Sequence, residues 1–112
     1  MLSGKWWANP SVVRRIGLSD DQQKRIEQIF QQSRVQLIDL RASLEKEEAL
    51  LDPMLNADHP QEGSVLAQID RIAAARSELE KADARMLFSF RLVLTADQWK
   101  TLQSRSPDRG RR

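Results

Sequence analysis

The sequence predicts an all-α protein, a long antiparallel helical hairpin with short N- and C-terminal helices. Apolar residues recur at helical spacing through two segments of about 30 residues each. A short segment with proline and glycine separates these segments. Glycine and proline are scarce in the whole chain, at four each in 112 residues, which suits long uninterrupted helices. Two helices of this length joined by a short turn are expected to pack antiparallel.

The first element is a short helix near the N-terminus. Pro10 can occupy its first turn, and we expect the helix to continue through Arg15. Gly17 follows and is the residue best suited to a left-handed C-terminal cap, so it should end this helix.

The first long helix has a strong start signal. Ser19 is a good N-cap, and Gln22 stands three residues later, where its side chain can reach back to the cap amide. Asp20 and Asp21 place negative charge at the positive end of the helix dipole. The helix is predicted to reach about Leu51. Its apolar sector consists of Ile26, Phe30, Leu37, Leu40, Leu44 and Leu51.

The second long helix follows a turn. Pro53 disfavours helical geometry at Asp52, so the first helix should stop or kink there. Residues 54–63 read as the turn region, and the second helix is predicted from near Ser64 to about Val93. Its main apolar sector consists of Val65, Ile69, Ile72, Leu87, Phe90 and Leu94.

The last helix begins with the same pattern as the first long helix. Thr95 is a hydroxyl N-cap followed three residues later by Gln98, as Ser19 is followed by Gln22. Both starts lie at one end of an antiparallel hairpin, so positions 19 and 95 should be close in space. We therefore interpret the repeat as architectural, with structural caps at Leu18, Ser19, Gln22, Leu94, Thr95 and Gln98.

Composition limits the domain plan and the class of protein. Residues 1–104 form one predicted domain, and residues 105–112 form a basic tail with four arginines and one aspartate, which we expect to be flexible. The 30% charged content excludes a membrane-spanning protein. The sequence contains no cysteine, which excludes disulfides, thiolate catalysis and cysteine-based zinc sites. Aromatic residues are not interleaved with basic ones, so no nucleic-acid partner is predicted.

The paired motif resembles that of a known family. A leucine, a serine or threonine, two variable residues and a glutamine occur twice around the predicted hairpin, at residues 18–22 and 94–98. This arrangement is similar to the LTxxQ signature of the CpxP/Spy family, which includes the ZraP/CnrX-like heavy-metal-resistance relatives. The first copy departs from the signature at Ser19, where threonine is commoner. The resemblance covers residues 6–104.

The resemblance also implies a biological setting. It implies an exported, periplasmic stress protein that forms an intertwined or cradle-like homodimer. Some members of the family are chaperone-like and others sense or buffer metals. The sequence shows no signal peptide, since Trp6 and Trp7 follow a five-residue start, so we expect a leader or an anchor in the natural precursor.

Candidate metal ligands are few. His59 is the only histidine, and it lies in the turn beside Asp58 and Glu62. Zinc usually takes three or four nitrogen, sulfur or oxygen ligands, and the metal-binding relatives are histidine-rich. We predict no metal site, with His59 as the one weak candidate, and no cofactor.

No catalytic site is predicted either. The carboxylates Glu45, Glu47 and Glu48 lie near Arg41 and Lys46, which is the pattern of a salt-bridged helix surface. No serine–histidine pairing, phosphate-binding glycine loop or buried acid pair is evident. The protein is therefore predicted not to be an enzyme.

The most informative side chains lie away from the apolar sector of the first long helix. On a helical wheel Val35 and Ile38 project to about 180° and about 120° from Ile26, and Arg34 and Arg41 flank them. Two apolar residues on an outer face, bordered by long polar side chains, suit a dimer contact or an adaptable protein-binding surface. The sequence leaves both interpretations open.

Two further contacts are expected. Arg34 and Asp83, or Arg76 and Asp83, should satisfy each other at the edge of the helix interface. Trp6 and Trp7 should cover an end of the hairpin or the dimer partner, with membrane-interface anchoring as the less favoured interpretation.

Two functional hypotheses follow. The preferred one is a periplasmic, chaperone-like or adaptor protein of the stress response that binds partly unfolded or partner proteins without ATP. The alternative is a metal-responsive sensor or heavy-metal-resistance protein that regulates a membrane partner.

Overall fold

The computed structural model describes residues 4–104, and the basic tail at 105–112 lies outside this range. Every regular element in the described range is helical, which confirms the predicted all-α class. The two long helices pack together as predicted. In chain order the elements are a 3₁₀ helix, Trp6–Ala8, and the α-helices α1, Pro10–Ile16; α2, Asp20–Leu55; α3, Glu62–Val93; and α4, Ala96–Gln103.

Helix α1 has a cap at each end. The side chain of Asn9 accepts a hydrogen bond of 2.9 Å from the backbone N–H of Ser11, and Pro10 occupies the first helical position. Gly17 adopts a left-handed conformation with φ 68° and ends the helix. The predicted short helix is confirmed, and it extends one residue beyond Arg15.

The predicted end of α2 near Leu51 was wrong. The helix continues through Pro53 to Leu55, and the N–H of Asn56 still donates to the carbonyl of Asp52 at 2.9 Å. A proline in the last turn removes only one helical hydrogen bond, so the helix tolerates it there. The turn is correspondingly short, and α3 begins at Glu62 rather than near Ser64.

The described residues form two compact units. Unit 1 comprises residues 4–31 and 86–104, and unit 2 comprises Gln32–Arg85. In unit 1 the 3₁₀ helix, α1 and α4 pack around one end of α2 and one end of α3. The buried apolar core of unit 1 consists of Trp6, Trp7, Ile16, Leu18, Ile26, Phe90, Leu94 and Leu102.

Unit 2 contains only segments of α2 and α3 and the turn between them. Its buried residues are Leu37, Gln68, Ile72 and Ala82. Ile69, predicted in the apolar sector of α3, is 43% exposed. Two helices can bury only a narrow stripe of each other, so a residue beside that stripe stays partly in solvent.

The predicted pairing of Asp83 was also wrong. Arg76 instead forms an ion pair of 3.2 Å with Glu48 of α2, and both side chains are about half exposed. Within residues 4–104 neither Arg34 nor Asp83 takes part in an ion pair. Asp83 is only partly buried and so keeps contact with water, which removes the need for a charged partner.

Candidate functional site

Both LTxxQ motifs form capping boxes in the structure. The backbone N–H of Gln22 donates to Ser19 Oγ at 3.1 Å, and the N–H of Ser19 donates to Gln22 Oε1 at 3.0 Å. Thr95 and Gln98 repeat the arrangement at 3.1 and 2.9 Å. The caps satisfy N–H groups at helix starts that would otherwise lack partners.

The two motif glutamines also bind each other. Gln22 Nε2 donates to Gln98 Oε1 at 2.8 Å, and Gln98 Nε2 donates to Gln22 Oε1 at 3.0 Å. The same nitrogens donate to two backbone carbonyls, Gln22 to that of Val93 at 3.1 Å and Gln98 to that of Gly17 at 2.9 Å. We call this pair the glutamine clasp. It joins the start of α2, the end of α3 and the start of α4.

The two side-chain amides of the glutamine clasp have no unused hydrogen-bond donor or acceptor for a ligand. Each side-chain amide has two N–H donors and an oxygen with two lone pairs, and the hydrogen bonds above use all of them. Leu18 and Leu94, the first residues of the motifs, are buried beside it. The clasp therefore brings positions 19 and 95 together at one end of the hairpin. Its role is to connect the helices, not to bind a substrate.

An aromatic cluster fills the core of unit 1. The Trp7 ring is 3% exposed and lies with its centroid 5.4 Å from Trp6, 5.2 Å from Phe30 and 5.3 Å from Phe90. The rings meet at tilted or perpendicular angles, which are the favourable geometries for aromatic pairs. The tryptophans therefore cover this end of the hairpin, the first of the predicted alternatives.

Glu27 anchors the N-terminal segment to α2. Its carboxylate accepts hydrogen bonds from Gln31 at 2.7 Å, from Trp7 Nε1 at 2.8 Å and from Lys5 Nζ at 3.0 Å. These donors, Gln31 first, lower the pKa of Glu27 from 4.5 to about 2. Sequence reasoning missed Glu27, because two of its three donors, Lys5 and Trp7, lie 22 and 20 residues away in the chain.

The outer-face candidates all lie on α2 in unit 2. Val35 is 62% exposed and Ile38 is 50% exposed. Arg34 and Arg41 are exposed, and in the part of the chain that the structure describes neither guanidinium has an ion-pair partner. The four side chains are thus accessible, and their role as partner or dimer contacts stays a prediction.

Further exposed apolar residues were missed. Unit 2 also exposes Leu50, Leu55 and Leu66, while unit 1 exposes Phe88 at 63% and Leu92 at 66%. Phe88 and Leu92 are four residues apart on α3, so their spacing could have revealed a second apolar stripe. The predicted apolar sector of α3 contained Leu87, Phe90 and Leu94 and did not include these two residues.

The available donors do not fit a metal site. His59 and Asp58 lie exposed in the turn between α2 and α3, and Glu62, the first residue of α3, is exposed as well. Over residues 4–104 no three histidine, cysteine, aspartate or glutamate side chains come together in a group able to hold a metal ion. A site for zinc or a similar transition metal needs more ligands than the side chains of this turn provide.

Two of the three glutamates Glu45, Glu47 and Glu48 are in contact with α3. Glu47 accepts hydrogen bonds from the buried Gln68 through both its backbone carbonyl, at 2.7 Å, and its carboxylate, at 2.9 Å. Glu48 pairs with Arg76. Glu45 is exposed on α2. Two of the three carboxylates therefore hold the helices of unit 2 together.

Comparisons with known proteins agree with the motif. A model of the heavy-metal resistance family matches residues 7–101, a range that contains both capping motifs and both long helices. No curated protein and no solved structure matches the chain significantly. Across residues 4–104 no helix has both the length and the apolar character needed to cross a bilayer. The match spans most of the chain, and the protein belongs to the heavy-metal resistance family of LTxxQ proteins, the family of CpxP/Spy- and ZraP-like proteins.

Proposed function

We propose that this protein is a chaperone-like or adaptor protein of the periplasmic stress response that binds partly unfolded or partner polypeptides without ATP. The observation that carries the proposal is the outer face of α2 in unit 2, where Val35 and Ile38 are half exposed or more. Arg34 and Arg41 lie beside them and have no ion-pair partner within residues 4–104. We call these four residues the α2 outer face.

The chemistry of the α2 outer face supports binding of variable polypeptides. Burial of apolar surface contributes about 25 cal/mol per Å² and needs no fixed geometry, so it suits segments of different sequence. Arginine side chains add hydrogen bonds and charge while their aliphatic stems cover apolar surface. An unfolded segment offers apolar, carbonyl and acidic groups together, and this surface complements all three.

Family membership supports the proposed setting. Relatives with the LTxxQ signature support a periplasmic location, a homodimer and a possible membrane-protein partner. A homodimer would bring two α2 outer faces into one assembly and so raise the effective concentration of binding sites for one client. No nucleic acid is expected among the partners.

The second candidate is a metal-responsive sensor or a heavy-metal-resistance protein that regulates a membrane partner. The family match favours it. The donor set argues against direct metal binding, because His59 has too few neighbouring ligands within the described range. A role in metal resistance through protein binding alone is compatible with both observations.

Suppression of aggregation tests the first candidate. The purified protein should slow aggregation of a model client, and Val35→Asp should weaken this effect because it places a charge on the α2 outer face. Val35 is 62% exposed, so the fold should tolerate the change. Gln36→Asp is the matched control, since it adds the same charge at the neighbouring exposed position without removing an apolar group.

Solution mass measurements complete this test. Reduced protection by a Val35→Asp protein of unchanged mass supports a client surface. A change from dimer to monomer instead makes the α2 outer face an interface between copies. Equal protection by wild type and Val35→Asp, with Gln36→Asp also unchanged, rejects the α2 outer face as the binding surface.

A metal titration separates the two candidates. The chaperone-like function predicts no stoichiometric site for zinc, copper, nickel or cobalt in the purified protein, because the donors do not converge. Tight binding of one ion per chain or per dimer, lost in His59→Ala, would establish the metal-responsive alternative instead.

A further inference from the structure

Unit 1 contains a cavity of about 100 Å³ within its aromatic cluster. Its walls are almost entirely apolar and include Trp6, Trp7, Trp99, Phe30, Phe90 and Leu102. Gly4 and Gln103 are exposed and line the cavity as well, so they mark its side toward solvent. In the part of the chain that the structure describes, the cavity can therefore be reached from this side without opening the core.

The walls of this cavity suit an apolar occupant better than water. A buried water needs two to four polar partners. The indole N–H of Trp7, a residue that is 3% exposed, already donates to Glu27 at 2.8 Å. Among the described side chains no fully buried nitrogen or oxygen lacks a hydrogen-bond partner. The rings and aliphatic chains that make up most of the wall therefore offer water few partners.

The volume of the cavity and the angles between its wall rings limit the choice of ligand further. An engineered apolar cavity of about 150 Å³ in another protein binds benzene, so this volume is of the order that one ring needs. The wall rings stand at steep angles to one another, with Trp6 at 84° to Phe90 and Trp7 at 56° to Phe30. A further ring can meet such walls edge to face, which is a favourable aromatic contact. We propose that this cavity is a binding site for a small neutral aromatic molecule with a single ring.

Among the described residues no charged side chain lines the cavity, and this disfavours ionised ligands. The Lys5 ammonium lies 5.3 Å from the Phe30 ring centroid, and the Arg91 guanidinium lies 5.9 Å from that of Trp99. A cationic ligand would lose its hydration inside the apolar wall, and the Glu27 carboxylate next to Trp7 is already paired with Lys5. An anionic ring would lose its hydration inside an apolar wall, which is costly without a buried partner. Neutral rings escape both penalties.

Tryptophan fluorescence can report the binding directly, because all three tryptophans of the protein line the cavity. The full chain is titrated with benzene, with benzoate as the charged comparison and naphthalene as the oversized one. Benzene should give a saturable change at one equivalent per chain and raise the thermal midpoint, as a ligand that binds only the folded state must. Benzoate and naphthalene should give neither effect.

Two substitutions locate the site. Leu102→Phe places a larger side chain in the wall and should abolish the saturable benzene response. Phe88→Ala removes an exposed ring from the same unit but not from the cavity, so its response should equal that of the wild type. Should Leu102→Phe not fold, the ligand size series on the wild-type protein decides alone.

Opposite results would overturn the proposal. No saturable response to benzene rejects the site, and an equal response to naphthalene or in a folded Leu102→Phe protein indicates non-specific surface binding. The cavity lies in unit 1 and the α2 outer face in unit 2, so the titration and the aggregation assay fail or succeed independently.

Discussion

Units 1 and 2 are built on the same two long helices but bury very different amounts of them. In unit 1 the 3₁₀ helix, α1 and α4 cover the ends of α2 and α3, and eight apolar residues form a closed core. Unit 2 has no such cover, and its buried set is limited to Leu37, Gln68, Ile72 and Ala82. A pair of helices alone buries only the narrow stripe along which the two are in contact, and the added helices of unit 1 bury more of the apolar surface.

The difference in burial suggests that unit 1 stabilises the fold and that unit 2 binds other proteins. Unit 1 resembles the interior of a small globular protein, with paired aromatic rings and saturated polar groups. Both units expose large apolar side chains, but unit 1 exposes two, Phe88 and Leu92, and unit 2 exposes six, Val35, Ile38, Leu50, Leu55, Leu66 and Ile69. The larger set in unit 2 is typical of surfaces that bind other proteins. We therefore expect substitutions in unit 1 to change mainly folding, and those on the α2 outer face to change mainly binding.

The largest expected effect is that of Trp7→Ala. It removes a ring that is 3% exposed and packs against three other rings, so it should lower the free energy of unfolding by about 3–5 kcal/mol. In unit 2, Leu37→Ala should cost less, about 2–3 kcal/mol, because its surroundings are partly open. Urea denaturation followed by circular dichroism measures both. An equal or larger loss for Leu37→Ala would break the contrast between the units.

The glutamine clasp should give the next largest effect. Gln22→Ala or Gln98→Ala leaves buried or partly buried polar groups unpaired and should each cost about 1–3 kcal/mol. The double variant should cost less than the two losses together, because both changes remove the same mutual hydrogen bonds. Gln28→Ala, on the exposed surface of α2, is the control and should change stability by less than about 0.5 kcal/mol. Strict additivity in thermal or urea unfolding would show that the two glutamines act separately.

The buried glutamine of unit 2 should show a smaller effect. Gln68→Leu keeps the volume, and the released polar groups of Glu47 and Arg71 can reach water, so stability should stay within about 1 kcal/mol of wild type. Gln68→Ala leaves a gap and should cost about 2 kcal/mol. If Gln68→Leu proved the more damaging of the two in urea unfolding, polar contacts rather than volume would hold unit 2 together.

The smallest effect should come from Glu27 and depend on pH. Its hydrogen bonds from Gln31, Trp7 and Lys5 lower its folded-state pKa from 4.5 to about 2. The carboxylate therefore stabilises the fold fully above pH 4.5, and this contribution is lost as pH falls toward about 2. Thermal midpoints of Glu27→Gln should lie below those of the wild type at neutral pH and approach them in acid. Glu45→Gln, exposed on the same helix, is the matched control and should not reproduce that convergence.

Local signals predicted the helices well. Capping residues, one left-handed glycine and apolar periodicity act within a few residues, so α1, the start of α2 and the start of α4 followed directly from the chain. The end of α2 was wrong because Pro53 costs little in a last turn. The 3₁₀ helix Trp6–Ala8 was missed, since its main support is contact with α2 and α3.

The candidate site was predicted in part. Periodicity placed Val35 and Ile38 outside the helix interface, and both are exposed. The pairing of Asp83 was wrong, because the predicted helix register did not determine which ion pairs form between exposed side chains. The aromatic cavity could not be predicted at all, since its walls come from distant parts of the chain.

The sequence by itself determined the helical class, the capped helix starts, the paired motif and the family, because these depend on spacing along the chain. Only the tertiary structure decided that Gln22 and Gln98 bind each other, that Glu27 has three donors, and that the tryptophans enclose a cavity. Those features require residues far apart in sequence to meet. Which side chains meet depends on how the helices pack, and helical periodicity fixes only the face on which each side chain lies.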